Sequence, residues 1–562
     1  MTDIRRTLLW VVFVMSLVLI WDAWQKHQGH PSMFSPQPHA AASATASAPP
    51  ATAVAQAGGT SAVPSSLSAA SPTSAPPAVA SAADTSQKVV VSTDVVRATF
   101  DTRGGTLVHL ELLNQVDAND HTKNVTLFDQ SDQRVYLAQS GLIAQGGGNA
   151  LPTHLTQMTL VPGDRTLAEG QQQLQVKFES ADVGGVKLVK TYTLKRGDYA
   201  MDVRYDVVND GSAPVTPELY LQLVRDGNAP PGESSFYSTF TGPAVFDDAG
   251  KFHKVPFKDI EKGSADHSKS ADNGYVAMVQ HYFASAWLLA QGTKREFFTR
   301  KVDTNLYSVG MLVPLGTIAP GANKELDAKL FAGPQQENQL STLYPGLELV
   351  KDYGWLTILA KPLFWLLTKL HAFLGNWGWS IVGLVVILKI AFFWLNAQAY
   401  KSMAKMKAIN PKITAMRERL KDKPQQMQQE MMKIYREEKV NPLGGCLPIV
   451  VQIPFFISLY WVLLSSVEMR NAPWIGWIHD LSARDPYFIL PLLMTASSLL
   501  QTWLNPRPPD PVQARMMWIM PLIFSFMFFY FPAGLVLYWL TNNILSITQQ
   551  YVINKRLGVL GK

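Results

Sequence analysis

One lysine, Lys389, stands in the middle of the apolar run Leu384 to Leu395. A cation at the centre of a membrane span costs roughly 2.5 to 3.5 kcal/mol on insertion scales, so its surroundings must offset that cost. On a helix, Phe393, Asn396 and Tyr400 fall 4, 7 and 11 positions after Lys389, on one face. A second row repeats this spacing: Tyr538, Asn542 and Gln549 stand at 0, 4 and 11, with Thr541 alongside. A third apolar stretch adds Gln452 and Ser458, and there Pro448 and Pro454 free backbone carbonyls that need partners. Polar groups from several apolar helices can enclose water, and water would let Lys389 keep its charge. The chemistry open to such a set is attraction and hydration of a passing polar segment rather than bond making. For any single Asn, Gln or Ser the alternative is an interhelical hydrogen bond. For Lys389 it is snorkelling to the interface, which a mid-run position disfavours.

Other chemistries find little footing. Cys446 is the single cysteine, which sets aside an intramolecular disulfide and thiol-ligated metals. No GxxxxGK[ST] phosphate loop occurs in the chain, and no pair of carboxylates stands out for acid/base work. No catalytic residue, metal, cofactor or DNA is therefore expected. Of the 562 residues 47% are hydrophobic and only 16% charged, against roughly 25% charged in soluble domains. That is a membrane-protein composition diluted by something soluble.

The elements that must position these residues follow from the patterning. Residues 8 to 21 are apolar and follow Arg5 and Arg6, as in either a cleaved signal peptide or an uncleaved anchor. No small-residue cleavage site follows closely, which favours an anchor over 1–24 with its basic end in the cytoplasm. From His27 to Ala83 there is no Asp, Glu, Lys or Arg; such an Ala/Ser/Pro-rich tract buries too little apolar surface to fold and reads as a disordered periplasmic tether over 25–85. Over 86–345 the period becomes two: Leu174, Val176 and Phe178 alternate with Gln175, Lys177 and Glu179, and residues 192 to 207 form two alternating runs around Arg196-Gly197-Asp198. Many such strands predict a large antiparallel β-sandwich outside the cytoplasm. Sandwiches also host carbohydrate sites, so an anchored sugar-processing enzyme is the alternative, although it would not need further spans.

Residues 346–379 mix Trp355, Trp365, Trp377 and Trp379 with Lys361, Pro362, Lys369 and His371, which suits an interfacial amphipathic helix better than a short span. A second transmembrane helix is expected over 380–399 and four more within 444–552, near 445–466, 487–504, 516–531 and 533–552. With the anchor this is a polytopic α-helical membrane protein of six transmembrane helices carrying a large periplasmic β-sandwich, its N- and C-termini cytoplasmic and its tail at 553–562. The charges agree: Tyr400 to Val440 holds 11 Lys/Arg against 5 Asp/Glu, while Val467 to Pro486 holds two against three. Within 400–443, Met403, Met406, Ile409, Ile413, Met416 and Leu420 recur at steps of three and four. Pro424 then interrupts, and Met427, Met431 and Ile434 resume the spacing, as in a cytoplasmic basic helical hairpin. Its Lys405, Lys407, Lys412, Arg417 and Arg419 are candidate contacts for anionic lipid, ribosomal RNA or acidic proteins. The alternative is a solvated face that only fixes topology.

Several stretches carry a family resemblance. Residues 441 to 463 (NPLGGCLPIVVQIPFFISLYWVL), 477 to 494 (WIHDLSARDPYFILPLLM), 531 to 550 (FPAGLVLYWLTNNILSITQQ) and the hairpin from Ser402 to Pro442 resemble the YidC/Oxa/Alb family of membrane protein insertases. Residues 192 to 209 (YTLKRGDYAMDVRYDVVN) and 274 to 287 (GYVAMVQHYFASAW) resemble its Gram-negative form, and the likeness runs from about 88 to 557. The resemblance implies a cell inner membrane protein, not an enzyme, that inserts nascent membrane proteins and helps them fold, alone or with the Sec translocon. The ribosome and the signal-recognition-particle receptor are further implied partners. It implies a β-supersandwich outside, and a hydrophilic intramembrane groove open to cytoplasm and lipid but closed toward the periplasm. One positive residue of the second span faces that groove, and Lys389 falls at its position. The family pattern there is usually arginine with hydroxylated neighbours, whereas this chain has Lys389 and Val385. The groove set is then Lys389, Asn396, Gln452, Ser458, Tyr538, Thr541 and Asn542. A secondary transporter would also place a charge near midplane, but such folds show internal repeats, and this chain has none that is evident.

Overall fold

The computed structural model describes residues 63–64, 86–118, 120, 122–145, 150–230, 239–420, 423–438, 447–505 and 511–556. The anchor expected over 1–24, the tether of 25–85 apart from Val63 and Pro64, Cys446 and the end of the tail from 557 lie outside them. The described chain forms two units, one ending at Lys351 and one beginning at Asp352.

The first unit is a β-sandwich of two nine-stranded sheets in which the ladders between strands run antiparallel. The first sheet has the order Lys88–Ser92, Val96–Asp101, Thr106–Val116, Asn124–Gln130, Val135–Ala144, Pro217–Asp226, Leu306–Pro314, Arg295–Asp303, Ser270–Ala271. The second has the order Lys251–Lys254, Gly242–Asp247, Tyr275–Val279, Phe283–Leu289, Asn323–Pro334, Ala200–Asn209, Val186–Lys195, Gln173–Ser180, Met158–Leu160. Period-two patterning explains the layering, since successive side chains of a strand point to opposite faces. Leu174, Val176 and Phe178 are buried in one core with Leu188, Leu219, Leu221, Val309 and Met311, while Gln175 is exposed. The turn after Lys195 places Gly197 at φ 71, in the left-handed region that glycine adopts most readily.

One inward position of this sandwich is charged. Lys190 alternates inward with Leu188 and Tyr192 and is fully buried. Its Nζ donates to Gly104 O at 2.6 Å, Ser140 O at 2.7 Å and Ser140 Oγ at 2.9 Å. Burial pulls this ammonium down to about 7, because a low-dielectric site disfavours the charged form.

The second unit is helical: α1 (Thr357–Leu374), α2 (Trp377–Ala391), α3 (Phe393–Arg419), α4 (Pro424–Glu437), α5 (Leu447–Ser465), α6 (Ile489–Leu504), α7 (Pro511–Phe528) and α8 (Ala533–Arg556). Gly375, at φ 67, ends α1, and Asn376 caps α2 by accepting from Trp379 N at 3.0 Å. The second span expected over 380–399 is not one straight helix: α2 and the start of α3 meet at Phe392 at 67°. The helix then continues into the hairpin without a loop.

By length and composition, six transmembrane helices are not met among the described residues. One helix qualifies alone, Thr357–Leu374, and the bent pair Trp377–Ala391 with Phe393–Met406 qualifies if taken as one span. The helix that qualifies lies inside the stretch expected to be interfacial. Val451–Ser465, Ile489–Leu504 and Ala514–Phe528 are apolar but shorter than the ~20 residues a bilayer core takes. Non-helical ends shorten them: Asn505 leaves helical geometry with ψ 148, and the turn at 529–532 cuts α7 from α8.

One end of this helical unit is tied together by a loop. Between α5 and α6, Ile478 and Leu481 are buried, as is Asp485. Asp485 accepts from Trp477 Nε1 at 3.0 Å, Tyr487 N at 3.0 Å and Leu490 N at 2.7 Å, the last an orphan amide in the first turn of α6. The same loop holds the turn between α7 and α8: Ala533 N donates to Ala483 O at 2.7 Å and Gly534 N to Leu481 O at 2.8 Å.

The hairpin of α3 and α4 closes on its apolar seam. Ile409, Ile413 and Met416 are buried, with Met406, Leu420, Met427, Met431 and Ile434 packed against them. Ion pairs Lys412 to Glu438 and Arg419 to Glu430 run early-to-late across the two helices, which makes them antiparallel.

Candidate functional site

Four helices converge on Lys389. It sits in the last turn of α2, in the half of the unit that leads into the hairpin, and its Nζ donates to Ser546 Oγ of α8 at 2.7 Å. Ser546 Oγ in turn donates to Asn542 O at 2.7 Å, and Tyr400 OH of α3 donates to Ser546 O at 3.4 Å. A second string of amides runs alongside. Gln452 Nε2 of α5 donates to Asn396 Oδ1 at 2.6 Å, Asn396 Nδ2 to Gln549 Oε1 at 3.5 Å, and Gln549 Nε2 to Phe393 O at 3.5 Å. The amides are buried while Lys389 and Asn542 are half-buried.

These residues edge a narrow hollow with about 20 Å³ of space for water, room for about one molecule. Its lining includes Lys389, Asn396, Gln452, Tyr538 and Asn542, with Val385, Leu388, Phe392, Phe455 and Phe456 as apolar wall. Five of the seven groove residues expected from sequence are thus brought together. The other two turn to their own helices: Ser458 Oγ donates to Pro454 O at 2.7 Å and Thr541 Oγ1 to Leu537 O at 2.8 Å. Hydroxyls in apolar helices often find their i−4 carbonyl this way.

Ser546, the direct partner of Lys389, is absent from the expected set. It stands 4 after Asn542 and 8 after Tyr538 on the same face, so continuing the spacing would have reached it. A second polar seam was equally hidden: Asn543 Nδ2 donates to Ser497 Oγ at 3.1 Å and Ser498 Oγ at 2.8 Å of α6, and Gln550 Nε2 to Asn505 Oδ1 at 3.1 Å. It lies on the side of α8 away from the hollow and joins two helices.

The hairpin cations are spread rather than gathered. Lys405 is exposed, Lys412 and Arg419 are engaged with glutamates, and Arg417 is half-buried; the side chain of Lys407 lies outside the described set. Among the described residues no group of three or more His, Cys, Asp or Glu could hold a metal ion.

With this geometry in hand, the chain can be set beside known proteins. The family described as YidC periplasmic domain matches residues 88–366, and that described as 60Kd inner membrane protein matches 369–559. A protein named membrane protein insertase YidC in Cupriavidus metallidurans is 58% identical over 99% of this chain and 98% of its own length. One of the same name in Burkholderia cenocepacia is 55% identical over 100% of this chain and 99% of its own. Among solved structures, an active YidC insertase with its first transmembrane domain resolved is 20% identical, covering 83% of this chain and 92% of that one at a TM-score of 0.38. A putative aldose 1-epimerase from Escherichia coli K12 is 11% identical, covering 44% of this chain and 99% of that one at 0.27. At those scores neither structural likeness carries an argument.

Proposed function

The chain belongs to the YidC family of membrane protein insertases, and from that premise we propose that it moves the polar flanks of nascent inner-membrane proteins through the Lys389 hollow. The work is partition, not catalysis. A nascent apolar helix prefers lipid, but its polar tail must cross about 30 Å of hydrocarbon. A hollow edged by Lys389, Asn396, Gln452, Tyr538 and Asn542 offers that tail hydrogen bonds and a positive charge part of the way. The tied loop at 481–483 supports a hollow closed on the outer side and open on the side of the basic hairpin. The observation that carries the reading is the placement of Lys389. It is half-buried on the hollow and held by a neutral serine, so its charge is not cancelled by a carboxylate partner.

The finer parts of the reading rest on charge. The excess of Lys/Arg between Tyr400 and Val440 supports a cytoplasmic hairpin and, through six spans, cytoplasmic termini in the inner membrane. The exposed cations of the hairpin suit anionic lipid, ribosomal RNA or a targeting receptor. Sec-assisted insertion is part of the same proposal and draws on the family alone.

The test is reconstitution. Purified protein in liposomes should insert a small single-spanning client, and a cysteine at 389, in a Cys446→Ser background, should react with a water-soluble maleimide added from the hairpin side. Liposomes that move a solute but insert no client would reject insertion. An unlabelled cysteine at 389 would reject the hydrated hollow.

A further inference from the structure

The two described residues of the tether are packed. Val63 rests against Ile143, Tyr220, Phe298 and Leu312, and Pro64 is buried. These partners lie on the first sheet's outward face, because Leu219, Leu221, Val309, Met311 and Val313 alternate inward into the core. Register sets them side by side: Gly141, Tyr220 and Leu312 face one another in one row, and Gln139, Gln222, Gly310 and Phe298 in the next. Both glycines make room for the rings. A Cβ at Gly141 would stand 2.5 Å from Tyr220 Oη, and one at Gly310 would stand 2.4 Å from Phe298 Cζ.

Polar groups border this aromatic floor. Arg300, opposite Ser308 in the following row, has its guanidinium 5.0 Å from the centre of the Phe298 ring. Its Nη1 donates to Val63 O at 3.5 Å. Its Nε and Nη2, with Gln222 Oε1, Ser308 Oγ and Glu218 Oε2, are buried and have no hydrogen-bond partner among the described residues. Buried donors and acceptors are normally satisfied, so this row points to an occupant that supplies both. An extended proline-containing segment fits that requirement, since it makes no internal hydrogen bonds and offers its backbone groups to side chains while its proline sits on aromatic rings.

We propose that this face is a cradle for the chain's own Ala/Ser/Pro-rich tether, strapped down at Val63–Pro64. The occupant is this segment because its carbonyl and side chain already occupy the floor. The sandwich would then be held 38 residues from the expected anchor's end at residue 24, rather than the 63 that precede Lys88. The tether would act as a short leash with a fixed pin, independently of whether the protein inserts clients.

A spin label reads the pin directly. In full-length protein with Cys446→Ser, a label at Ala62→Cys should tumble several-fold more slowly than one at Ala46→Cys in the same tether. Adding Val63→Asp, a change in the tether that leaves the sandwich sequence intact, should bring Ala62 to the mobility of Ala46, and Arg300→Gln should do so in part. Equal mobility at the two positions in the parent would overturn the proposal, as would immobilisation that survives Val63→Asp. Immobilisation lost on dilution would overturn it too, by assigning the cradle to a second copy's tether.

Discussion

Each unit of this molecule keeps a lysine away from bulk water, and the two solve the problem in opposite ways. In the sandwich, Lys190 is sealed between sheets with three oxygens at 2.6 to 2.9 Å. In the helical unit, Lys389 has one hydroxyl at 2.7 Å and an open hollow beside it. The sealed lysine has nothing left to offer a visitor, and its ammonium is drawn down to about 7 by burial. The half-open lysine leaves donor capacity facing the hollow. On the proposed function, a cation becomes available to a client through incomplete satisfaction by its own fold, more than through depth.

The contrast can be broken or sharpened experimentally, and the largest effect is expected at Lys190. Its value falls from 10.5 to about 7 on folding, so between those limits the unfolded chain holds a proton that the folded chain has released. Stability should therefore rise with pH, by about 3 kcal/mol from pH 7 to 9.5 at 1.36 kcal/mol per unit. Above that window the buried Tyr192 and Tyr220, whose values burial raises, pull the other way. Urea-dependent labelling of a cysteine placed at the buried Ala286, in a Cys446→Ser background, would follow the sandwich alone. Lys190→Met should flatten the rise; a slope unchanged by that substitution would mean that Lys190 does not titrate there.

At Lys389 the readout is insertion rather than stability. Lys389→Glu should slow clients with acidic translocated tails by on the order of tenfold, equivalent to about 1.4 kcal/mol, and neutral-tailed clients much less. Lys389→Arg should stay near wild type because attraction into the hollow needs charge rather than a fork. Equal slowing of both client classes would make Lys389 a packing residue like its counterpart in the sandwich. Next in size, Ser546→Ala should cost only about 0.6 kcal/mol in resistance of the helical unit to denaturation, typical of one hydrogen bond in a membrane protein. Loss of insertion for neutral-tailed clients in that variant would show that Lys389 must be held rather than merely present. Smallest of all, Lys412→Ala removes an exposed pair with Glu438 and should leave the protease resistance of the hairpin almost unchanged.

These cases also show what a sequence can and cannot disclose. The hairpin seam from Met406 to Ile434 was legible because one helical period decides which side chains meet. That Lys389 and Asn396 share a polar face was legible, although the helix bends by 67° between them. The bend shows in what changed: Phe393, on the straight-helix face, is 51% exposed, and Phe392 lines the hollow instead. Bends of that kind depend on packing, which periodicity does not encode. The hydroxyls of Ser458 and Thr541 bond to their own helices, a choice that spacing alone does not reveal. Lys190 is the reverse case. Its alternation with Leu188 and Tyr192 places it inside, and only the habit of assigning charges to surfaces hides it. The packing of Val63 was invisible because composition argues against a folded tether and does not say which of its residues meets the sandwich.

The bond pair at 481–483 has one further consequence. Because Ala533 and Gly534 are fastened to that loop, any tilt of α8 that broke its bonds at Ser546 and Gln550 would pivot at the fastened tip. Its 24 residues make a rod of about 36 Å, so a tilt of roughly 5° moves the far tip by about 3 Å and the fastened tip hardly at all. A tilt of that kind would widen the space beside the basic hairpin and leave the fastened end where it is.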